Sequence, residues 1–376
     1  MKKKSAKVLM LFLVLLMVTA QFGCAKTQTD LSEVESKPAK TEAQTEVTDT
    51  KANVTEVDEE LVIGIIPVTM DNNYHVAASK HDEIYAMSEY NAKVKIVDGK
   101  LDIPTIAAAL DELIAEGVDG IIIQPHETAS LTAGLEAAAK AGIPVLTFYE
   151  KCSVPSPHIY MDEAPTSAEM GKLAAEKWLE YHSDKPIVVG CIDYVDHQGV
   201  QNFRTQPFIN AVKKVYPNAD IQILDGGGTA ETAFKATQDL LQSHPEINIF
   251  YGASSTYSLA AAAALEEAGR GVAIDGIPQS EIICGIDGTE SEMLKIYDPS
   301  SSYKITMALT PLENAKIRID TIMDMISGEI NPNEEKDLYV YDQVVSYWGM
   351  DVDEATEWLA KEYFSTLDIK AEIEKK

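Results

Sequence analysis

Residues 118–149 read VDGIIIQPHETASLTAGLEAAAKAGIPVLTFY and contain the pattern strand, loop, helix, strand. The short β-branched run Gly120–Ile123 is followed by polar residues and then by an alanine-rich helical period over residues 130–141. A second apolar run, residues 144–148, follows directly. Because both runs are apolar throughout rather than alternating, they predict two parallel strands that are buried on both faces and joined by a helix.

The same alternation extends in both directions along the chain. Further strand-like runs span residues 61–67, 93–97, 186–192, 221–224, 247–251 and 281–286. The helical periods between them include residues 103–115, 167–181, 208–215, 229–242 and 256–268. Repeated strand–helix units predict parallel sheets with helices on both faces. Since 376 residues suffice for about two domains, we expect an α/β protein with two doubly wound parallel-sheet lobes.

The composition excludes several classes of protein. The chain carries 31 basic and 60 acidic side chains, which gives a formal net charge of -29. Proteins bind a polyphosphate by neutralising it with Lys and Arg, so we expect no nucleic-acid partner. With 45% hydrophobic and 24% charged residues, the chain is neither collagen-like, nor of low complexity, nor a polytopic membrane protein.

The N-terminus has the pattern of an export signal. Four lysines among the first seven residues precede an uncharged apolar run, residues 8–20, which ends shortly before Gly23 and Cys24. This run has 13 residues, whereas a membrane-spanning helix needs about 20. We therefore interpret residues 1–23 as a cleaved signal peptide, with an uncleaved N-terminal helix as the alternative. The arrangement resembles a bacterial lipoprotein signal, which implies lipidation of Cys24 and an extracytoplasmic protein anchored to the cell membrane.

Residues 24–60 predict a disordered acidic tether. They contain no aromatic residue and no hydrophobic period. Such a segment buries too little apolar surface to offset the entropy lost on ordering. A short amphipathic helix around residues 31–35 is the alternative.

The loops that follow the strands form the candidate site, because ligands bind beyond the carboxyl ends of the strands in open α/β sheets. These loops contain amides, hydroxyls, a carboxylate and aromatic rings. That set suits a neutral polyhydroxy ligand, whose C–H faces pack on rings while its hydroxyls bond to amides and carboxylates. The loop residues are Asn72, Tyr74, His75, Gln124, Tyr149, Ser254 and Asp287.

No sequence motif indicates a metal site, a cofactor or a catalytic centre. The seven histidines show no HExxH spacing, no cysteines stand at a CxxC interval, and no GxSxG nucleophile motif occurs. We therefore expect no metal, no cofactor and no catalytic residue, and the chain is not predicted to be an enzyme.

Five segments of the sequence, in order, resemble a known family. They are IGIIPVTMDNNYH (63–75), GVDGIIIQP (117–125), AGIPVLTFY (141–149), HPEINIFYGASS (244–255) and CGIDGTESEMLK (284–295). This ordered set is similar to the type I periplasmic binding proteins of the ribose and galactose type, the receptors of ABC sugar importers. The resemblance runs from about residue 61 to about residue 329.

The resemblance implies two lobes that are joined by a three-segment hinge and close on the ligand. It places the crossings near residues 162–166, 286–289 and 307–311. The N-terminal lobe would comprise residues 61–162 plus about 310–340, and the C-terminal lobe residues 163–309 plus about 341–350. Residues 351–376 show helical periodicity beyond the resemblance. They form a predicted helical C-terminal extension that either caps the body or contacts a partner.

Several site residues follow from the resemblance. It implies that the Asn72 amide meets a sugar hydroxyl, that Tyr74 and His75 stack on the sugar, and that Arg204 donates to ring and hydroxyl oxygens. It also implies that Asp287 accepts hydrogen bonds from two adjacent hydroxyls. Each assignment has a structural alternative: Tyr74 as packing for its helix, Arg204 as half of a surface ion pair, and Asp287 as a helix cap.

Other positions differ from the sugar-binding pattern of the family. Gln124 and Ser254 stand where asparagines are usual, Tyr149 and Glu150 replace an aspartate–arginine pair, and Leu309 replaces a glutamine. These differences leave the identity of the sugar open. They would suit a less hydroxylated or a larger ligand.

The sequence therefore predicts an extracytoplasmic solute-binding receptor. It would be a monomer, held at the membrane by its lipid anchor, that captures a small ligand, first of all a monosaccharide, and delivers it to the permease subunits of an ABC importer. The alternatives are a sensor that feeds a membrane kinase or chemoreceptor, a receptor for a non-sugar metabolite, and an exported enzyme. Repressors of the lactose-repressor type share the two-lobed body, but the helix-turn-helix headpiece that they need is replaced here by the export signal and tether.

Overall fold

The computed structural model describes residues 60–126 and 128–375. The predicted signal peptide, Cys24 and the predicted tether up to residue 59 lie outside the described residues. The strands, in chain order, are β1 (Val62–Ile66), β2 (Lys93–Ile96), β3 (Gly120–Ile123), β4 (Val145–Phe148), β5 (Pro157–Met161), β6 (Val188–Asp193), β7 (Asp220–Asp225), β8 (Ile249–Gly252), β9 (Ala273–Ile274), β10 (Ile277–Pro278), β11 (Ile282–Asp287), β12 (Tyr303–Ala308), β13 (Lys336–Val340) and β14 (Gln343–Ser346). The α-helices are α1 (Asn73–Tyr90), α2 (Ile103–Glu116), α3 (Thr132–Ala141), α4 (Ala164–Tyr181), α5 (Gln198–Val200), α6 (Gln206–Val215), α7 (Ala230–Ser243), α8 (Ser255–Glu267), α9 (Glu290–Tyr297), α10 (Pro311–Ser327), α11 (Val352–Tyr363) and α12 (Ile369–Ile373).

Two six-stranded sheets share the same winding order. The order is β13-β5-β4-β3-β1-β2 in the first lobe and β14-β12-β11-β8-β6-β7 in the second. The described pairings are parallel in the first sheet, and in the second sheet β14 runs antiparallel to β12. In each lobe the chain enters at an inner strand, β1 or β6, pairs with an edge strand and then winds in the opposite direction across the sheet. This doubly wound topology confirms the predicted fold class.

The chain passes between the two sheets three times. It leaves the first lobe after β5 through residues 162–163, returns from β12 to α10 through residues 309–310, and leaves again from β13 to β14 through residues 341–342. The predicted crossing at residues 286–289 is wrong, because β11 and the following helix α9 both belong to the second lobe. Met293 of α9 is fully buried in the core of that lobe.

Strand β3 shows why the first sheet is covered on both faces. Successive side chains of a strand point to opposite faces. Ile122 packs with Ile319 of α10 on one face, whereas Ile121 and Ile123 pack with Leu110 of α2 on the other. All five side chains are buried, and burial of each contributes about 1.5–3 kcal/mol. A strand that is apolar at every position is therefore stable only between two helical layers.

Of the two C-terminal helices, α11 contacts both lobes. Asp351 is the N-cap of helix α11, and its carboxylate accepts hydrogen bonds from the backbone N–H groups of Asp353 and Glu354. It packs against α1 and α10 of the first lobe and against α9 of the second, and α12 packs against α9. Leu359 of α11 is fully buried in the core of the second lobe. We call residues 351–375 the C-terminal strap.

A glycine at the crossing of α4 and α6 generates a first prediction. A methyl group at Gly171 would collide with the backbone carbonyl of Phe208, which cannot move without displacing its helix. Overpacking of this kind costs about 1–3 kcal/mol. We expect Gly171→Ala to lower the free energy of unfolding by about 2 kcal/mol, measured by urea unfolding.

Gly134→Ala in α3 is the matched control. Its new methyl group would meet the end of the Leu110 side chain, which can rotate away. Alanine also gains up to about 1 kcal/mol of helix propensity over glycine. The free energy of unfolding should therefore change by less than about 1 kcal/mol, and equal losses in the two variants would contradict the prediction.

Candidate functional site

A cavity of about 390 Å³ lies between the two lobes, beyond the carboxyl ends of β1, β3 and β4 on one side and of β6, β8 and β11 on the other. Ligands bind at this edge of doubly wound sheets, where the winding direction reverses. All eight predicted site residues line the cavity: Asn72, Tyr74, His75, Gln124, Tyr149, Arg204, Ser254 and Asp287. Their contact with a ligand stays a prediction.

The start of α1 positions three of these residues. Asn72 is the N-cap of α1, and its Oδ1 accepts a hydrogen bond from the backbone N–H of Tyr74 at 2.7 Å. The group that Asn72 can offer a ligand is therefore its Nδ2 amide. The rings of Tyr74 and His75 are buried and nearly perpendicular, with centroids 5.1 Å apart. Burial lowers the pKa of His75 to about 4, so its imidazole is neutral at pH 7.

Gln124 and Tyr149 follow the neighbouring strands β3 and β4. Gln124 is 7% exposed, and its Oε1 has no hydrogen-bond partner within the described residues. A buried acceptor without a partner costs about 1–3 kcal/mol, so a ligand that donates a hydrogen bond here is favoured. Tyr149 has a φ of 72°, a left-handed conformation that is rare for a bulky side chain. Its hydroxyl accepts a hydrogen bond from Arg204 Nη2 at 3.1 Å.

Arg204 lies in a π-helical turn, Gln201–Thr205, that precedes α6. Its Nε and Nη2 each donate to a carboxylate oxygen of Glu163 at 2.6 Å, and its Nη1 donates to the carbonyl of Ala253 at 3.1 Å. The Arg204 side chain is 10% exposed and that of Glu163 is 2% exposed. Arg204 thus belongs to an ion pair that is buried rather than at the surface. Together with the bond to Tyr149, these contacts use four of the five guanidinium N–H groups and leave one for a ligand.

Ser254 and Asp287 are positioned by strand ends of the second lobe. Ser254 is the N-cap of α8. Asp287 Oδ2 accepts hydrogen bonds from the backbone N–H and the hydroxyl of Ser255 at 3.0 and 2.6 Å. The cap of α9 is Thr289, so the alternative of Asp287 as a helix cap is wrong. Burial raises the pKa of the Asp287 carboxyl, and its backbone has a φ of 114°.

The charges around the cavity disfavour an anionic ligand. Among the described residues that line it, Arg204 is the only Lys or Arg, and Glu163 already balances its charge. Asp287 and Glu150 add carboxyl groups. A neutral ligand rich in hydroxyls fits better, since hydroxyls can donate to Asp287 and Gln124 while C–H groups pack on the aromatic rings.

Tyr194 and Glu163 are among the residues of the site that were not identified from the sequence. Tyr194 follows β6, lines the cavity and stacks on Tyr257 with centroids 4.3 Å apart. Its place after a predicted strand is the signal that could have found it. Glu163 pairs with Arg204 across 41 positions of sequence, and no local pattern indicates such a partner. Within the described part of the chain, no group of three His, Cys, Asp or Glu side chains is arranged to hold a metal ion.

A family model described as a periplasmic binding protein domain matches residues 63–330. The chain belongs to the periplasmic binding protein family. Membership confirms the resemblance stated above and places the protein outside the cytoplasm. Of the helices in residues 60–126 and 128–375, none has both the length and the apolar character required to cross a membrane.

Individual relatives of this periplasmic binding protein are distant. The ribose import binding protein RbsB of Bacillus subtilis (strain 168) is 24% identical over 270 residues, which cover 72% of this chain and 83% of the relative. A Mycobacterium smegmatis protein in complex with β-D-fucofuranose has a TM-score of 0.64 at 19% identity and covers 84% of this chain and 98% of its own. A solute-binding protein from Actinobacillus succinogenes 130z with bound D-allose has a TM-score of 0.63 at 20% identity, with coverage of 79% and 100%.

The buried ion pair of this periplasmic binding protein generates a second prediction. Glu163→Gln keeps the shape of the side chain but removes the carboxylate charge that pairs with the buried Arg204 guanidinium. Breaking a buried pair in this way costs about 3–5 kcal/mol. We expect the free energy of unfolding to fall by about 3 kcal/mol, measured by urea unfolding at pH 7.

Glu231→Gln serves as the control for this variant. Glu231 pairs with Lys235 at 2.8 Å, and both side chains are more than half exposed. Exposed pairs contribute little, so the unfolding midpoint should remain almost unchanged. If the two variants lost stability equally, the buried pair would not have the role assigned to it.

Proposed function

We propose that this periplasmic binding protein is the receptor of an ABC importer, which captures a monosaccharide between its two lobes and delivers it to the permease subunits. The observation that carries the proposal is the chemistry of the cavity. The buried acceptor of Gln124 and the carboxylate of Asp287 face the same space as the rings of Tyr74 and Tyr149, and the one arginine is already neutralised.

A sugar ring matches this combination of groups. Its hydroxyls can donate to Gln124 and Asp287 and accept from the Asn72 amide and the remaining N–H of Arg204. Its C–H faces can pack on the aromatic rings. The ligands named for the relatives, namely ribose, β-D-fucofuranose and D-allose, support this class of ligand.

The membrane anchor and the domain division are part of the same proposal. A lipid on Cys24 and a tether over residues 24–60 would keep the receptor near the membrane. Residues 61–162 and 310–340 would act as one lobe, and residues 163–309 and 341–350 as the other. A monomeric receptor would then close on its ligand and present the closed form to the importer.

A thermal-melt screen tests the proposed function. The panel contains D-ribose, L-arabinose, D-allose, D-galactose and polyols, with nucleosides and amino acids as the non-sugar arms. A ligand at 100 times its dissociation constant adds about 2.7 kcal/mol of stability, which corresponds to a rise in Tm of about 2 to 4 °C. A saturable rise in Tm with a sugar supports the proposal. A rise with non-sugar compounds only contradicts it, and so does the absence of a rise with every compound of the panel.

Asp287→Asn is expected to weaken binding of the sugar that the screen identifies. The variant replaces charge-assisted hydrogen bonds, which contribute about 1.5–3 kcal/mol, by weaker neutral ones. We expect the dissociation constant to rise about ten-fold or more, measured by calorimetry. Asp225→Asn is the control, because Asp225 ends the edge strand β7, caps only the turn at Gly227 and does not line the cavity. Equal losses in both variants would remove Asp287 from the site.

The raised pKa of Asp287 predicts how binding depends on pH. Burial favours the neutral acid, so this carboxyl takes up its proton at a higher pH than an exposed aspartate does. Only the ionised form accepts charge-assisted hydrogen bonds, so sugar affinity should fall as the pH falls through the raised pKa. Asp287→Asn should bind weakly with a flat pH profile, and a wild-type profile equally flat over the same range would contradict this assignment.

A further inference from the structure

We propose that Tyr363 is a positioning residue for ligand binding, and that the C-terminal strap holds the two lobes at the angle at which the cavity is complete. The proposal rests on the proposed function for the identity of the ligand, whereas the contacts of the strap do not depend on that function. Three consecutive residues of the strap, 362–364, contact both lobes and the backbone of the cavity. The family match ends at residue 330 and does not include them.

Glu362 and Phe364 hold the first lobe. His81 Nε2 donates a hydrogen bond to the carbonyl of Glu362 at 2.9 Å, and the backbone N–H of Leu312 donates to Glu362 Oε2 at 2.9 Å. The rings of His81 and Phe364 stack with centroids 4.2 Å apart, and Lys80 Nζ lies 3.7 Å from the centre of the Phe364 ring. These contacts attach the strap to α1 and α10 at the same time.

Tyr363 holds the second lobe. Its hydroxyl donates to the carbonyl of Asp287 at 3.0 Å and lies 3.4 Å from the carbonyl of Leu309. The N–H of Leu309 donates to the same Asp287 carbonyl at 3.2 Å. Trp358 lies so close to Gly288 that a Cβ atom at Gly288 would be 3.0 Å from the indole ring. The strap therefore packs directly on the loop that carries Asp287.

The Asp287 backbone depends on this support. A φ of 114° is a strained conformation for a residue other than glycine, and such conformations persist only where the surroundings hold them. Asp287 and Leu309 both line the cavity, whereas Tyr363 does not. From outside the cavity, the Tyr363 hydroxyl thus fixes the peptide that carries a proposed ligand contact.

The contacts of residues 362–364 also couple the two lobes. A change in the angle between the lobes must break or shift contacts on one side of this segment. The strap therefore raises the fraction of ligand-free molecules in which the two lobes have the angle seen in this structure. Because the apparent dissociation constant is the intrinsic one divided by that fraction, a weakened strap lowers the affinity without changing any group that touches the ligand.

The test compares Tyr363→Phe with the wild type, using the full chain purified in detergent. Hydrogen–deuterium exchange without ligand reports the backbone, and calorimetric titration with D-ribose reports the affinity. The variant loses one hydroxyl and keeps the ring. We expect faster exchange at the Leu309 amide, and binding of D-ribose about five-fold weaker.

Tyr297→Phe is the matched control. The Tyr297 hydroxyl also donates to a backbone carbonyl, that of Met350 at 3.0 Å, just before the strap. It contacts neither the cavity backbone nor the first lobe, so exchange should change only near Met350 and D-ribose affinity should be unchanged. Phe364→Ala removes the contacts with His81 and Lys80 and keeps the Tyr363 hydroxyl. It should speed exchange in α1 and weaken D-ribose binding about three-fold.

Each outcome of this test decides the proposal. Unchanged exchange and affinity in Tyr363→Phe overturn it, and so does an equal loss of affinity in Tyr297→Phe. If the wild type does not bind D-ribose, the proposed sugar function fails for ribose, while exchange at the Leu309 amide still gives a result for the strap. Exchange at the Leu309 amide that is faster in Tyr363→Phe but not in Tyr297→Phe supports the role of Tyr363. Equal exchange at this amide in the two tyrosine variants rejects it.

Discussion

The geometry of the cavity depends on the buried ion pair between Arg204 and Glu163. Glu163 lies in the first crossing between the lobes, Arg204 lies in the π-helical turn of the second lobe, and the guanidinium reaches the first lobe through the hydroxyl of Tyr149. A buried guanidinium must have a countercharge, and its planar set of donors fixes the directions in which its partners lie. One side chain therefore holds three parts of the chain in a common arrangement and, at the same time, leaves the cavity without an uncompensated cation.

The equal winding of the two lobes places matching parts of each sheet on opposite sides of the cavity. Strands β4 and β11 occupy the same place in the two strand orders. A cavity residue with a positive φ lies at the end of each strand: Tyr149 directly follows β4, and Asp287 is the last residue of β11. Strain of this kind is concentrated at ligand sites, where the surroundings hold it. Arg204 holds Tyr149 through its side chain, and Tyr363 holds Asp287 through its carbonyl. The two strained residues are thus supported by different elements, the π-helical turn and the C-terminal strap.

The sequence predicted the repeated strand–helix order well, because strands such as β3 are apolar at every position and the intervening helices are rich in alanine and leucine. The prediction of strands failed where a buried strand contains a charged residue. Strand β12 contains Lys304, which is fully buried with its ammonium 2.9 Å from the carbonyl of Asp298. A lysine near the start of an apolar run makes the run look less like a buried strand. The crossing at residues 286–289, which the family resemblance implied, was wrong because β11 and α9 both stay in the second lobe, and the local pattern of a strand end does not show whether the chain leaves its lobe. The eight predicted residues line one cavity because strand ends of a parallel sheet meet at one edge, whereas the Glu163 partner of Arg204 depends on tertiary packing alone.

Specificity and affinity are assigned to different parts of this molecule. The groups proposed to select the ligand through their hydrogen bonds, such as Gln124 and Asp287, line the cavity and lie within the part of the chain that matches the family. The strap lies beyond that part and does not line the cavity, but it contacts both lobes and the Asp287 carbonyl. A hinged receptor gains affinity only from the difference between its open and closed forms. Changes in residues 362–364 can therefore raise or lower the dissociation constant for one ligand, while the residues of the cavity and the ligand specificity stay the same.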